Sequence, residues 1–181
     1  MILDGLLMFS NGQTFTTTAN STNEIDLGVG QATSTTPAIP APAQGGGARD
    51  IGIGDDPAMK LLVQVATTFT SGGAPTLTVG LQGAPDNGSG APGTYVTWWT
   101  SPAYALATLV AGARLYDMDM PRPPAGVVVP RFLRLSYTVG VTTYTGGAIS
   151  AFIVLDRWDQ MYNSTSNAVP GGYVPGITIA N

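Results

Sequence analysis

The sequence predicts an all-β protein, an antiparallel sandwich or barrel of about eight short strands. Apolar residues recur at every second position through most of the chain, and clusters of glycine, proline, asparagine and aspartate separate the alternating runs. No long run shows the 3.6-residue period of a helix. Because a parallel sheet needs crossover helices, this absence favours antiparallel pairing.

The alternating runs can be placed in chain order. Short strand candidates come first, as QTFTTT at 13–18 and NEIDLG at 23–28. The stronger runs are MKLLVQVATTF at 59–69, TLTVGLQ at 76–82, TYVTWWTS at 94–101, ARLYDMDMP at 113–121, RFLRLSYTVG at 131–140 and AISAFIVLD at 148–156. The stretch 101–113 allows at most a turn or two of helix, because Pro102 and Gly112 bound it.

Alternation also predicts which side chains face the core. Three runs give clear apolar faces. Their members are Met59, Leu61, Val63, Val65 and Phe69; Leu77, Val79 and Leu81; and Leu133, Leu135, Tyr137 and Val139.

Residues 1–160 are predicted to form one domain, which includes an arm and a long loop, and a tail follows this domain. The opening MILDGLLMF is apolar, but Asp4 interrupts it, so residues 1–12 are predicted to form a docking arm rather than a secretion signal. The Pro/Gly/Ala-rich stretch 33–50 is predicted to be a loop. The tail 161–181 contains spaced apolar residues and is predicted to lie on its own domain or a neighbour, or to form a last edge strand.

Composition excludes several classes of site. The chain has no cysteine and no histidine, so disulfides, Cys/His metal sites and Ser–His or Cys–His triads are absent. The formal net charge of −4 argues against nucleic-acid binding, and no apolar run is long enough to span a membrane. Charged residues make up 10% of the chain, against about a quarter in typical proteins. This composition suits a protein that is buried in an assembly.

Possible catalytic or ligand motifs are weak. The aspartate pairs Asp55–Asp56, Asp117–Asp119 and Asp156–Asp159 match no calcium-loop spacing, so turn-capping and solvated edges explain them better. The glycine clusters lack the strand–glycine–helix context of a nucleotide site. We therefore expect no enzyme activity, no metal and no cofactor. A hydrolase would need two carboxylates that converge in a cleft.

Aromatic and arginine side chains are the better candidates for contacts with a partner. Trp98 and Trp99 are neighbours in a predicted strand, so one is expected in the core and the other outside, where it serves an interface, loop packing or sugar stacking. Arg131 and Arg134, three residues apart, are expected on opposite faces. Arg157 lies beside Asp156 and Asp159. Each arginine either ties strand ends together through aspartate or contacts an acidic partner.

Five stretches together resemble one family. MILDGLLMFSNGQ, ARDIGIGDDPAMKLLVQV, TLTVGLQGAPDN, PRFLRLSYTVG and VLDRWDQ occur in the order seen in the capsid cement (decoration) proteins of tailed phages, of the type found in a Bordetella phage. The likeness covers about residues 1–160.

This resemblance implies a jelly-roll β-sandwich with no chemistry of its own. It implies a place on the outer surface of the phage head, where the protein bridges capsomers, with assembly in the bacterial cytoplasm. The implied partners are the major capsid protein and further copies of the chain, as a homodimer in preference to a homotrimer. A carbohydrate- or receptor-binding sandwich module is the alternative. The predicted interface residues are Ile2, Leu6, Leu7, Phe9, Trp98, Trp99, Arg131, Arg134, Arg157, Trp158 and Tyr173.

Overall fold

The computed structural model of the 181-residue chain describes residues 5–27, 59–121, 124–126 and 130–155, without the side chains of Leu6 and Leu155. Ten strands lie in these ranges. They are β1 (Met8–Thr14), β2 (Ala19–Asn20), β3 (Ile25–Asp26), β4 (Met59–Thr70), β5 (Thr76–Ala84), β6 (Val96–Thr100), β7 (Tyr104–Ala105), β8 (Arg114–Asp119), β9 (Phe132–Gly140) and β10 (Gly146–Leu155). Two single 3₁₀ turns, Gly5–Leu7 and Leu106–Thr108, accompany them.

The strands form two antiparallel sheets. The four-stranded sheet has the order β1-β10-β4-β8. In the six-stranded sheet β9 pairs with β5 on one side and with both β2 and β3 on the other, while β5 also pairs with β6 and β7. Strands β4, β5, β8, β9 and β10 alternate between the four-stranded and the six-stranded sheet, and β9 and β10 lie in the interior of their sheets. This is the arrangement of a jelly roll, a double-sheet sandwich built from two Greek keys.

The core lies between the two sheets, where the alternating apolar faces meet. Leu61, Val63, Ile149 and Ile153 of the four-stranded sheet pack with residues such as Leu135 in the six-stranded sheet, and all are buried. The predicted apolar faces of 59–69, 76–82 and 131–140 are confirmed: Met59 and Val139 are partly buried against this core, and every other member is fully or almost fully buried.

Four aromatic rings close the core near the β9–β10 turn. Phe15 stacks on Tyr137 with ring centroids 5.0 Å apart, and Phe69 lies against Tyr144 at 4.7 Å. The buried Tyr137 hydroxyl lies 2.7 Å from that of Ser10, which donates in turn to Gln13. This chain of hydrogen bonds satisfies a polar group inside the core.

The first strand differs from the sequence prediction. Residues 8–12, predicted as part of an arm, belong to β1, which pairs with β10 through two register shifts. The second shift spans Asn11 and Gly12, and Gly12 has a φ of +59°. A bulge of this kind breaks the period of two, so the alternation that predicts a strand is absent from this run.

Side chains cover the open edge of β1. Asn23 donates to the carbonyls of Met8 and Phe9 through its side chain and its backbone N–H, respectively. The Gln13 side chain accepts from the Thr22 N–H. The two bonds from Asn23 occupy carbonyl groups of β1 that an incoming strand would otherwise pair with.

The two ends of the sandwich differ. One end is here called the exit end. Strands β3, β5, β8 and β10 end there, and strands β4 and β9 begin there. Every point at which the chain leaves the described ranges is at this end. At the opposite end, here called the hairpin end, lie the turns 15–18, 71–75 and 141–145.

Candidate interaction surface

Arg131 occupies the position just before β9 and binds two acidic residues. Its Nε and Nη2 donate to the two carboxylate oxygens of Asp26, each at 2.8 Å, and its Nη1 donates to Asp86. The guanidinium carbon also lies 4.8 Å from the ring centroid of Phe132. The planar fork of arginine matches a carboxylate in this paired geometry. Arg131 therefore ties β3 and the 85–93 loop to the beginning of β9.

The 85–93 loop is closed by its own hydrogen bonds. Asp86 Oδ1 accepts from the N–H groups of Gly90 at 3.0 Å and Gly88 at 2.7 Å. The Gly93 N–H donates to the Pro85 carbonyl at 2.8 Å. The hydrogen bonds from the Gly90 and Gly88 N–H groups hold the pKa of Asp86 below its ordinary value, and Arg131 makes a smaller contribution in the same direction. The carboxylate is charged at neutral pH and fixes the shape of the loop.

Arg134 lies on the outer face of the six-stranded sheet. Its Nε donates to Gln82, its partner on β5, at 2.8 Å. Its guanidinium carbon is 3.6 Å from the ring centroid of Tyr95, in a cation–π contact. The Tyr95 hydroxyl donates to Glu24, the single glutamate of the chain. Partial burial raises the pKa of Glu24, and the positive charge of Arg134 opposes this shift.

These groups form two neighbouring polar networks, here together called the arginine surface, and Glu24 experiences the charges of both Arg134 and Asp26. The members of this surface are Glu24, Asp26, Gln82, Asp86, Tyr95, Arg131 and Arg134. Two arginines face three carboxylates, so both signs of charge are present. Side chains fixed in this way lose little further entropy when a partner binds. The surface offers preformed hydrogen-bonding groups and charges but no activated nucleophile.

The prediction that Arg131 and Arg134 face opposite sides is wrong. Asp26 pairs with Phe132, and the outer face of β9 carries Phe132 and Arg134, so the contacts of Arg131 bring it to that same face. Arg131 lies outside β9, whose alternation does not constrain it. Its side chain is 17% exposed and bound within the chain. This favours the strand-tying interpretation for Arg131 over a contact with a partner.

The tryptophans also differ from the expectation of one inside and one outside. A register shift between Leu81 and Gln82 in the β5–β6 pairing makes Trp98 the extra residue of a bulge. Both indoles pack against the core and are half-buried. Trp98 lies over Gly83, and Trp99 contacts Tyr116 of the other sheet with centroids 4.3 Å apart. Both indoles therefore serve packing within the sandwich.

The remaining predicted interface residues divide into two groups. Phe9 is 0% exposed, so its assignment to an interface is corrected: it is a core residue of β1. Leu7 is half-buried and packs against the same core. The structure does not describe the side chain of Leu6. Four predicted positions lie outside the described residues, namely Ile2, Arg157, Trp158 and Tyr173.

The acidic pairs form no site in the described ranges. Asp117 accepts from Arg114 at 3.3 Å on the four-stranded sheet. Asp55–Asp56 and Asp156–Asp159 lie outside these ranges. Among residues that the structure describes, no three His, Cys, Asp or Glu side chains group closely enough to hold a metal ion, and no helix is long and apolar enough to cross a membrane.

A second surface feature lies at the hairpin end. A groove of about 370 Å³ is lined by Thr17, Thr18, Val139, Val141, Thr142 and Thr143. Val141 is 86% exposed and has a φ of +72°. The Thr142 N–H donates to the Gly140 carbonyl at 3.0 Å, which makes Val141 the centre of a γ-turn of the strained type. A β-branched residue in this conformation is a true outlier.

Sequence reasoning missed most members of the arginine surface. Asp26, Asp86, Glu24 and Tyr95 come from three separate loops or strand ends, and Arg131 and Asp26 are 105 positions apart. Periodicity gives the face of a side chain within its strand, but it does not give the partners brought by distant strands. The one available signal was the turn cluster APDNGSGAPG at 84–93, which places an acidic residue at the head of a tight loop.

Comparison with known protein families identifies a matching family. The model of the Bbp16 family matches residues 9–153, which is most of the chain and spans β1 to β10. No curated protein matches the sequence.

Proposed function

The chain belongs to the Bbp16 family, and from this premise we propose that it is a cement protein that binds the outer surface of a tailed-phage head. The family name points to a structural protein of a Bordetella phage. In the proposed function the protein bridges neighbouring capsomers and stabilises the shell, and it performs no catalysis. The family match over residues 9–153 is the observation that carries this proposal.

The composition supports a function based on buried surface. Charged residues make up only 10% of the chain. A specific protein contact buries about 1,600 Å² in total. A protein that contacts two capsomers makes the second contact intramolecular, so that modest affinity at each site gives firm attachment. The major capsid protein is the proposed partner, together with a second copy of the chain in a homodimer.

The two ends of the sandwich support a direction for binding. The Pro/Ala/Gly-rich segment 33–50 and the tail 161–181 both connect to the described fold at the exit end. Extended segments cover area without needing a large core. We therefore expect the exit end, with the arginine surface beside it, to face the shell or a neighbouring subunit.

Arg134 is the residue proposed to contact a partner. Unlike Arg131, it makes no salt bridge within the described ranges, since its resolved contacts are with Gln82 and the Tyr95 ring. A guanidinium held flat against an aromatic ring stays aligned for a carboxylate on a partner. Replacing Arg134 by alanine should weaken attachment without disturbing the buried core.

The test uses heads that lack the protein. Purified chain is added to them, and bound protein and the melting temperature of the heads are measured. We expect saturable binding, a raised melting temperature, and weaker binding by Arg134→Ala. The matched control is Arg114→Ala, which removes an exposed arginine of the other sheet whose partner is Asp117.

The outcomes distinguish the proposed cement function from the role proposed for Arg134. Failure of the unmodified chain to bind the heads would overturn the cement function. Normal binding and oligomerisation by Arg134→Ala would overturn only the assignment of Arg134. Equal losses in both arginine variants would point to a general effect of charge.

A further inference from the structure

The 85–93 loop contains an asparagine–glycine pair, Asn87–Gly88, in an unusual setting. Both residues are exposed, and Gly88 has a φ of +93°. In such a pair the backbone nitrogen of glycine can attack the side-chain amide of asparagine, because glycine has no Cβ to shield that nitrogen. In an unfolded chain, water takes up the proton and solvates the developing oxyanion, and a folded loop can supply protein groups for both roles.

The loop places both kinds of group at the reacting atoms. Asp86 Oδ1 accepts the Gly88 N–H at 2.7 Å, which is within the reach required of a general base. Asn87 Oδ1 accepts two hydrogen bonds from Ser89, one from its backbone N–H at 2.9 Å and one from its hydroxyl at 2.7 Å. Two donors on one carbonyl oxygen polarise the carbonyl and stabilise negative charge on it.

The surrounding contacts hold this arrangement in place. The Asn87 N–H donates to the Ala91 carbonyl at 2.9 Å, and Gly90 donates to the same oxygen of Asp86 as Gly88 does. Arg131 binds the other Asp86 oxygen. Arg131, which is itself bound to Asp26 of β3, thus holds the Asp86 carboxylate in position.

We propose that Asn87 is a self-modification site at which the loop promotes its own deamidation. The Gly88 nitrogen forms a bond to the Asn87 carboxamide carbon and gives its proton to Asp86. The bond from that carbon to Nδ2 breaks, and Nδ2 leaves as ammonia after receiving the proton. Water then opens the resulting succinimide to aspartate or isoaspartate, so no oxidation or reduction occurs.

The product changes the arginine surface. Deamidation adds one carboxylate next to Asp86, on the loop that Arg131 secures. The isoaspartate product also lengthens the backbone by one methylene between Asn87 and Gly88, which displaces the bond from Asn87 to Ala91. The surface therefore becomes more acidic as the protein ages.

The chain contains its own control. Asn11–Gly12 is its only other asparagine–glycine pair. Asn11 is also exposed and Gly12 also has a positive φ, +59°. However, the Gly12 N–H donates to the Ser150 hydroxyl at 3.0 Å and not to a carboxylate. The two sites share their chemistry and differ in the proposed base.

The experiment incubates the folded full chain at neutral pH and 37 °C and follows both sites by peptide mapping and mass spectrometry. We expect Asn87 to deamidate about tenfold faster than Asn11, below the hundredfold or more of an enclosed general base because this loop is in water. Asp86→Asn and Ser89→Ala should each slow the reaction at Asn87 and leave Asn11 unchanged. In urea the rates at the two sites should converge.

Two results would overturn the proposal. One is a rate at Asn87 in the folded chain that is equal to or below the rate at Asn11. The other is an unchanged Asn87 rate in both Asp86→Asn and Ser89→Ala. The Asn11 rate in each sample reports whether the variant has kept its fold, so a misfolded variant is recognised from the same data.

Discussion

Arg131 and Asp26 are 105 positions apart and meet through two parallel hydrogen bonds of 2.8 Å. Each residue lies at a strand end, one before β9 and one in β3. The pair fixes the exit end of the six-stranded sheet, where the loop of Asp86 also attaches. Its contribution to stability can be measured separately from that of an ordinary surface ion pair.

Replacing Arg131 by alanine should lower the free energy of unfolding by about 1 kcal/mol, because a paired, charge-assisted contact to Asp26 is lost. Arg131→Lys should lose less stability than Arg131→Ala but more than none, since an ammonium group cannot form the two parallel hydrogen bonds to Asp26. Urea unfolding measures both. The control Arg114→Ala removes an exposed pair and should change stability by less than about 0.5 kcal/mol. An equal effect of the two alanine variants would contradict the prediction.

Val141→Gly should raise the free energy of unfolding by about 1 kcal/mol. Glycine adopts the φ of +72° without strain, and relief of 1–3 kcal/mol of backbone strain exceeds the entropy that glycine adds to the unfolded chain, roughly 0.5–1 kcal/mol. Val110→Gly is the control, because Val110 is also exposed but has no positive φ. The midpoint temperature of thermal unfolding should rise for Val141→Gly and fall for Val110→Gly.

Tyr144→Phe should raise the free energy of unfolding by about 1 kcal/mol at pH 7. Tyr144 is 2% exposed, and its hydroxyl has no hydrogen-bond partner among the residues that the structure describes. Removing a buried, unpaired polar group removes its desolvation cost. A less stable phenylalanine variant would show that the hydroxyl has a partner.

The same substitution has a predicted effect at alkaline pH. Burial raises the pKa of Tyr144 to about 12 from an ordinary value of 10.0. The folded state therefore holds this proton more tightly than the unfolded state, and stability falls as the pH rises from about 10 to about 12. Urea midpoints at pH 7 and pH 11 should show a larger loss in the unmodified chain than in Tyr144→Phe.

Gly83→Ala should destabilise the fold by roughly 1–3 kcal/mol, the usual cost of overpacking. The new Cβ would stand 2.4 Å from Trp98 Cζ2 and 2.9 Å from Pro130 Cγ. Tryptophan fluorescence should report the displaced indole. Gly72→Ala is the control, since a Cβ there meets nothing within 4 Å. An unshifted emission with full stability would show that Trp98 does not lie over Gly83.

The long strands were predictable because the period of two depends only on local sequence. The period of two predicts β4, β5, β9 and β10, and the inward faces that it predicts for β4, β5 and β9 are confirmed. Errors came where that period breaks. The bulges at Asn11 and Trp98 shift the side chains that follow them, so the predictions of an arm at β1 and of indoles on opposite faces are wrong.

The arginine surface was less predictable than the fold. Arg134 was identified because its face follows from the alternation in β9. Arg131 lies one residue before the strand, where alternation gives no direction. The carboxylates that bind it arrive from β3 and the 85–93 loop, and pairing between segments this distant depends on the assembled topology rather than on local pattern.

The central position of β9 and β10 has a consequence for biosynthesis. They are the last strands of the described fold to leave the ribosome, yet β10 lies between β1 and β4, and β9 lies between β3 and β5. A nascent chain that ends before them can pair β4 with β8 and β5 with β6 and β7, but it lacks the strands that join these pairs to β1, β2 and β3. The six-stranded sheet can be completed during translation only after residue 140 has emerged, and the four-stranded sheet only after residue 155. Folding dominated by such distant pairings is slow.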